Sequence, residues 1–96
     1  MNVSIETGDN LISVRITGSC TIYEAADFRA ALLPLVASMA PVMVDLSGIT
    51  ELDCAGLQIL LALQKECALV LFSHPGDSTQ QVLDLLNLNR CFAIEA

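Results

Sequence analysis

The sequence predicts one mixed α/β domain: an opening β-hairpin followed by β-α-β-α-β units, with helices alternating along a sheet of about four to five strands. Three observations carry this. Two stretches near the start alternate apolar and polar side chains around a Gly8-Asp9-Asn10 turn. Two later short runs, PVMVDL with its β-branched valines and ALVLF, are largely apolar, as buried central strands are. The segments around those runs carry apolar residues at helical spacing.

Taken in order, Asn2 to Thr7 and Leu11 to Thr17 read as the hairpin strands, with Gly18 ending the second. Thr21 is a candidate N-cap, and Glu24 follows at capping-box spacing. A helix is expected from about Ile22 to Ser38, with Ala25, Phe28, Leu32 and Leu35 inward. Pro34 removes a backbone donor and should kink or divide it. Pro41 to Leu46 is a buried central strand, and Ser47 to Asp53 a loop. Asp53 caps a second helix, Cys54 to Glu66. Ala68 to Phe72 is the next buried strand, and His74-Pro75-Gly76 breaks the pattern. A third helix is expected over Ser78 to Leu88 with Val82, Leu85 and Leu86 inward, then an edge strand over Cys91 to Ile94. Helices between buried strands imply parallel crossovers, and the hairpin supplies an exposed edge.

The length, 96 residues, suits a single domain spanning 1–96. Apolar residues make up 54% of it, against roughly 45–50% in ordinary domains, and a chain this short cannot bury them all. An exposed apolar patch, and with it an interaction site, is therefore expected. The net charge is −7, and the bases Arg15, Arg29, Lys65 and Arg90 stand singly. That speaks against nucleic-acid binding and adsorption to anionic membranes. The acidity favours solubility and can steer the domain towards a basic partner. The start, MNVSIETGDN, lacks the blocks of a signal peptide, and no apolar run approaches the ~20 residues needed to span a bilayer. The expectation is a cytoplasmic protein without direct membrane insertion. Cys20, Cys54, Cys67 and Cys91 show no C-x-x-C spacing, and the single histidine, His74, does not adjoin any of them in sequence, so neither metal nor cofactor is expected. In a reducing cytosol they would be free thiols, with Cys20, Cys67 and Cys91 serving as small apolar residues.

One segment carries more specific information: Val44-Asp45-Leu46-Ser47-Gly48-Ile49-Thr50-Glu51-Leu52-Asp53-Cys54-Ala55-Gly56-Leu57. Asp53 can accept the free donors of the helix's first turn, and Cys54 follows at the positive end of the helix dipole, where an added anion would be stabilised. Gly56 permits close approach of another backbone or of a partner. This segment resembles the central signature of STAS domains, the fold of bacterial anti-sigma-factor antagonists: a strand ending D-L-S, a short loop, then Asp-Ser/Thr-x-Gly-Leu opening a helix. The element order agrees with it, as does Gly18 after the second strand. With Thr21-Ile22-Tyr23-Glu24-Ala25-Ala26 added, the chain looks similar to small STAS proteins associated with bacterial chemotaxis clusters. The resemblance implies a signal-transduction module that docks onto a histidine-kinase-like or anti-sigma-type kinase. It also implies a serine or threonine for phosphorylation after the aspartate. Here that switch position is Cys54, which is no substrate for a serine kinase, and Ala55 removes the neighbouring hydroxyl. Ser47 and Thr50 lie nearby but off the motif position.

The second helix is apolar almost all round, with Leu57, Leu60 and Leu61 expected against the sheet and Ile59 and Leu63 against a neighbouring helix. Ala55, Gln58, Ala62 and Lys65 remain as one outward stripe. Alanine favours any exposed helix, so the stripe alone is ambiguous. Through the resemblance it reads as a docking face beside Asp53, Cys54 and Gly56, with Ser19, Thr21 and Ser47 on the adjoining loops.

Three functions compete. An enzyme is disfavoured: no histidine neighbours a candidate nucleophile, no glycine-rich phosphate loop exists, and Asp45, Glu51 and Asp53 suit caps and loops. A protein-interaction module, monomeric or weakly dimeric, leads. Its alternative within the binding class is a non-catalytic subunit of a lipid-transport ABC complex, work done by some stand-alone STAS proteins. The third is a thiol redox sensor, since a helix N-terminus activates a thiol such as Cys54 while Asp53 opposes this.

Overall fold

The computed structural model describes residues 1–37, 40–67 and 69–86. It contains β1 (Asn2–Thr7), β2 (Ile12–Cys20), α1 (Ala25–Val36), β3 (Val42–Leu52), α2 (Cys54–Glu66), β4 (Val70–Ser73) and α3 (Asp77–Leu85). The strands form one four-stranded sheet in the order β1-β2-β3-β4. β1 pairs antiparallel with β2, from Thr7 opposite Ile12 to Asn2 opposite Thr17. β2–β3 and β3–β4 are parallel. The hairpin followed by two crossovers is the predicted class. The expected strand over Cys91 to Ile94 lies outside the described residues, as do Ser38, Ala68 and Leu88 at the predicted ends of elements.

Period-two alternation puts Ile12, Val14 and Ile16 of β2 on one face with Val42, Val44 and Leu46 of β3 and Val70 and Phe72 of β4. That face is covered by Phe28, Leu32 and Leu35 of α1 and by Leu57, Leu60 and Leu63 of α2, all buried. Each large side chain removed from water this way contributes about 1.5–3 kcal/mol. Met43 and Asp45 point to the opposite face and are only half-buried, so β3 is covered on one side rather than both.

Several elements depart from expectation. Ser47 to Leu52 is strand, not loop, and β2 continues past Gly18 to Cys20. The two extensions pair with each other, Gly18 opposite Ile49 and Cys20 opposite Leu52, across irregularities at Arg15/Thr17 and Gly18/Ser19. Backbone pairing outweighs the polar, glycine-containing composition here. Gly18 takes a φ of 92° at the bulge, a left-handed geometry that suits a residue without a side chain, instead of ending the strand. Helix α1 starts at Ala25 because Thr21–Glu24 first closes a tight turn, Glu24 N–H donating to the Thr21 carbonyl at 3.0 Å. Its N-cap is Glu24, without a side-chain cap, rather than Thr21. Pro34 does not divide the helix, which runs on to Val36; this near the end, the loss is one bond to the Ala30 carbonyl. In α2 it is Leu63 that enters the core, while Leu61 is half-buried.

Helix α3 is rotated from expectation. Thr79 and Leu83 are buried and Val82 is half-buried, whereas Leu85 is 84% exposed and Leu86 also faces solvent. Its phase is set at its start, where Ser78 Oγ donates to the Thr50 carbonyl at 3.0 Å.

Candidate functional site

The parallel strands β2 and β3 end side by side, at Cys20 and Leu52, and both chains turn there into helices. Asp53 holds the turn. Its backbone is extended, and Oδ1 accepts the N–H groups of Ala55 at 2.9 Å and Gly56 at 3.1 Å. Oδ2 accepts the Ile22 N–H at 2.9 Å, so one carboxylate caps α2 and ties it to the segment leaving β2. These donors, Gly56 N–H foremost and Ile22 N–H next, hold the Asp53 carboxyl below the usual carboxylate range. Beside it, Glu24 Oε1 accepts from the Thr21 N–H at 3.1 Å and the Thr21 hydroxyl at 3.0 Å. The Thr21 N–H bond is the main reason the Glu24 carboxyl also lies low. Ser19 Oγ donates to Glu51 Oε2 at 3.4 Å across the two strands.

Gly56 faces inward. A side chain there would collide with the Cys20 carbonyl oxygen and come within 2.9 Å of Leu52 Cδ1. The backbone it lets approach is the chain's own. Cys54, by contrast, is exposed on the first turn of α2. The other described cysteines, Cys20 and Cys67, are buried, and desolvation pushes the Cys20 thiol up to about 11. Gln58, Ala62 and Lys65 are exposed and Ala55 is half-buried, so the outward stripe exists.

Thus Ser19, Thr21, Asp53, Cys54 and Ala55 come together at one end of the sheet, although Thr21 is buried and turns its hydroxyl to Glu24 and to the Tyr23 N–H. Ser47 does not join them. It stands five residues back along β3 from Leu52, on the order of 15 Å at strand rise, and its N–H is bonded to Asp45 Oδ1 at 2.9 Å. Among the described residues no group of three or more His, Cys, Asp or Glu could hold a metal ion. No described helix is long and apolar enough to cross a membrane.

A family model described as "Mlab, STAS domain" matches residues 3–95, nearly the entire chain. The chain belongs to the STAS-domain family. No curated protein matches it. Solved structures of this shape include an anti-sigma factor antagonist from Mycobacterium paratuberculosis, with TM-score 0.86 and 24% identity over 97% of this chain and 83% of that one. A putative anti-sigma factor antagonist from Thermotoga maritima matches with TM-score 0.81 and 17% identity, over 96% and 84% of the two chains. The Bacillus cell fate determinant SpoIIAA in its phosphorylated form matches with TM-score 0.68 and 12% identity, over 99% and 92%. At such identities the likeness establishes the fold.

This STAS domain has one surface feature that the reading of α2 alone missed. The stripe on α2 does not face open solvent along its full width. Ala55, Gln58 and Ala62 form one wall of a groove of about 710 Å³, and Ile22, Leu33 and Val36 beside or within α1 form the other. The signal was present in α1, where Leu33 and Val36 each follow a core residue and so fall off the buried row.

Proposed function

We propose that this STAS domain is a non-catalytic regulatory module that docks onto a signalling protein, an anti-sigma-type or histidine-kinase-like kinase, through the start and outer face of α2. Cys54 occupies the position where the family resemblance expects a phosphorylated hydroxyl. The observation that carries the reading is the anchoring of Asp53 by three backbone N–H groups, which presents Cys54 outward on a fixed first turn. The similarity in shape to structures described as anti-sigma factor antagonists supports the same reading. Without a hydroxyl at position 54 the docking is not switched by serine phosphorylation, so binding is constitutive or regulated on the partner's side.

Affinity capture with mass spectrometry identifies the partner, and calorimetry then compares wild type with Cys54→Lys. A kinase-like signalling protein, bound at least tenfold more weakly by the variant, is the expected result. A lipid-transport ATPase would assign the domain to an ABC assembly instead. A partner indifferent to the change at Cys54 would remove the start of α2 from the interface. Treatment with the captured kinase and ATP should leave wild type unmodified, whereas phosphate on Ser47 or Thr50 would show that the switch has moved rather than vanished.

A further inference from the structure

Helix α1 buries Phe28, Leu32 and Leu35, yet a second apolar row turns away from the core. Ile22 is 64% exposed and Leu33 56%, and Val36 is also exposed. Contiguous exposed side chains of this size mark an interaction surface. Together with Ala55 and Ala62 they wall the groove between α1 and α2. We propose that this groove receives an amphipathic α-helix of the partner protein, with the helix's apolar row between α1 and α2 and a Lys- or Arg-bearing end beyond Ile22 and Ala55, beside Glu24, Glu51 and Asp53. The proposal rests on the docking reading and specifies what is docked.

A helix fits for geometric reasons. Both walls repeat at three- and four-residue intervals, Ala26, Arg29, Leu33 and Val36 on α1 against Ala55, Gln58, Ala62 and Glu66 on α2. These are the ridges into which another helix packs. The alanines leave room for close approach. The 13 residues of α2 make the groove about 20 Å long, enough for three to four turns. The groove is partly open to solvent, so a small ligand would keep part of its surface wet, unlike ligands in typical pockets.

Charge selects the end of that helix. Inside the groove Arg29 and Glu66 offset one another. Just beyond the end at Ile22 and Ala55, Glu51 accepts from Ser19, Glu24 from Thr21 and Asp53 from the Ile22 N–H, so three carboxylates stand there against one cation, the N-terminal ammonium near Glu24. A second copy of this chain would bring the same carboxylates and the same net −7, whereas a basic end is complementary.

The test uses fluorescence anisotropy with two labelled 16-residue peptides. Both carry leucines at i, i+3/i+4, i+7 on an alanine–glutamine background, one with two lysines at an end and the other with two glutamates. The lysine peptide should bind wild type with micromolar Kd, the glutamate peptide at least tenfold more weakly. Leu33→Glu should weaken the lysine peptide at least tenfold. General attraction to an acidic protein would do the reverse, because the substitution adds negative charge; unchanged or tighter binding overturns the proposal. If Leu33→Glu melts early, Ala26→Glu on the same wall replaces it. Palmitate bound more tightly than either peptide would overturn the proposal in favour of an acyl chain. So would a wild-type dimer in sedimentation that Leu33→Glu dissociates, in favour of a second copy. With the captured partner, loss of binding in Cys54→Lys but not in Leu33→Glu would defeat the groove and leave the docking reading standing. Retention in both variants would defeat the docking reading itself.

Discussion

Helices α2 and α3 both follow parallel strands, but they begin in opposite ways. α2 opens on a side chain: Asp53 caps two of its free N–H groups and reaches across to Ile22. α3 opens on Gly76 with no side-chain cap. Its Ser78 hydroxyl is given to the Thr50 carbonyl, and the Thr79 hydroxyl is buried with no partner among the described residues. In α2, polar bonding fixes where the helix starts and which residue it presents outward. In α3, the Ser78 bond to β3 sets the phase that buries Leu83, and a hydroxyl is left stranded. The difference separates an end built to hold a surface in place from an end that completes the core.

The largest effect is expected where α2 touches its own chain. Gly56→Ala places a methyl group against the Cys20 carbonyl, a backbone atom that cannot swing aside. Overpacking of this kind costs about 2–3 kcal/mol, which in a domain of this size lowers Tm by roughly 10–20 °C. The matching change at α3, Gly76→Ala, meets only the Ser47 carbonyl at 3.6 Å, an ordinary contact, and should cost less than about 1 kcal/mol. Equal melting curves for the two variants would dissolve the contrast.

Asp53→Ala removes the cap and the bond to Ile22 together, and should destabilise by about 2 kcal/mol in denaturant titration. Thr79→Val should act in the other direction, stabilising by about 1 kcal/mol, because it replaces an unpartnered buried hydroxyl with a methyl group of similar shape. A loss of stability in Thr79→Val would mean that the hydroxyl is bonded after all.

The smallest effect is that of pH. The folded-state carboxyls of Asp53 and Glu24 lie below their unfolded values of about 4. Their contribution is therefore fully present above about pH 5 and is lost as pH falls through the lowered folded values. Melting temperature should be level from neutrality to about pH 5 and decline below pH 4, with Asp53→Asn declining less. An identical decline in that variant would remove Asp53 from the account.

Much of this was legible in the sequence, for identifiable reasons. Asp53 ahead of an apolar helical segment announced its own cap, because capping is local. Strand alternation and helical spacing disclosed Val14, Val44, Phe28 and Leu60 as core, because burial follows period. What escaped depends on neighbours distant in sequence. Ser47 to Leu52 is a strand only because Thr17 to Cys20 lies beside it to share the ladder. Gly56 faces inward only because the Cys20 carbonyl is there. In α3 the apolar Val82, Leu85 and Leu86 outweighed Thr79 on paper, yet the start of the helix turned Thr79 and Leu83 inward. The groove required both α1 and α2 in place before the exposure of Leu33 and Val36 acquired a meaning.

The central claim, docking through the outer face of α2, is tested most directly by Ala62→Glu, with thermal melting and partner binding measured on the same preparation. Ala62 is exposed in the free domain, so the substitution should alter stability by no more than about 0.5 kcal/mol. In a complex the glutamate would be buried without a partner, which costs several kcal/mol and should abolish binding. Leu60→Glu, directed into the core where Leu60 is fully buried, serves as the unfolding control. A stable Ala62→Glu domain that no longer binds is the predicted result; a stable one that binds its partner as wild type does would place the docking surface elsewhere.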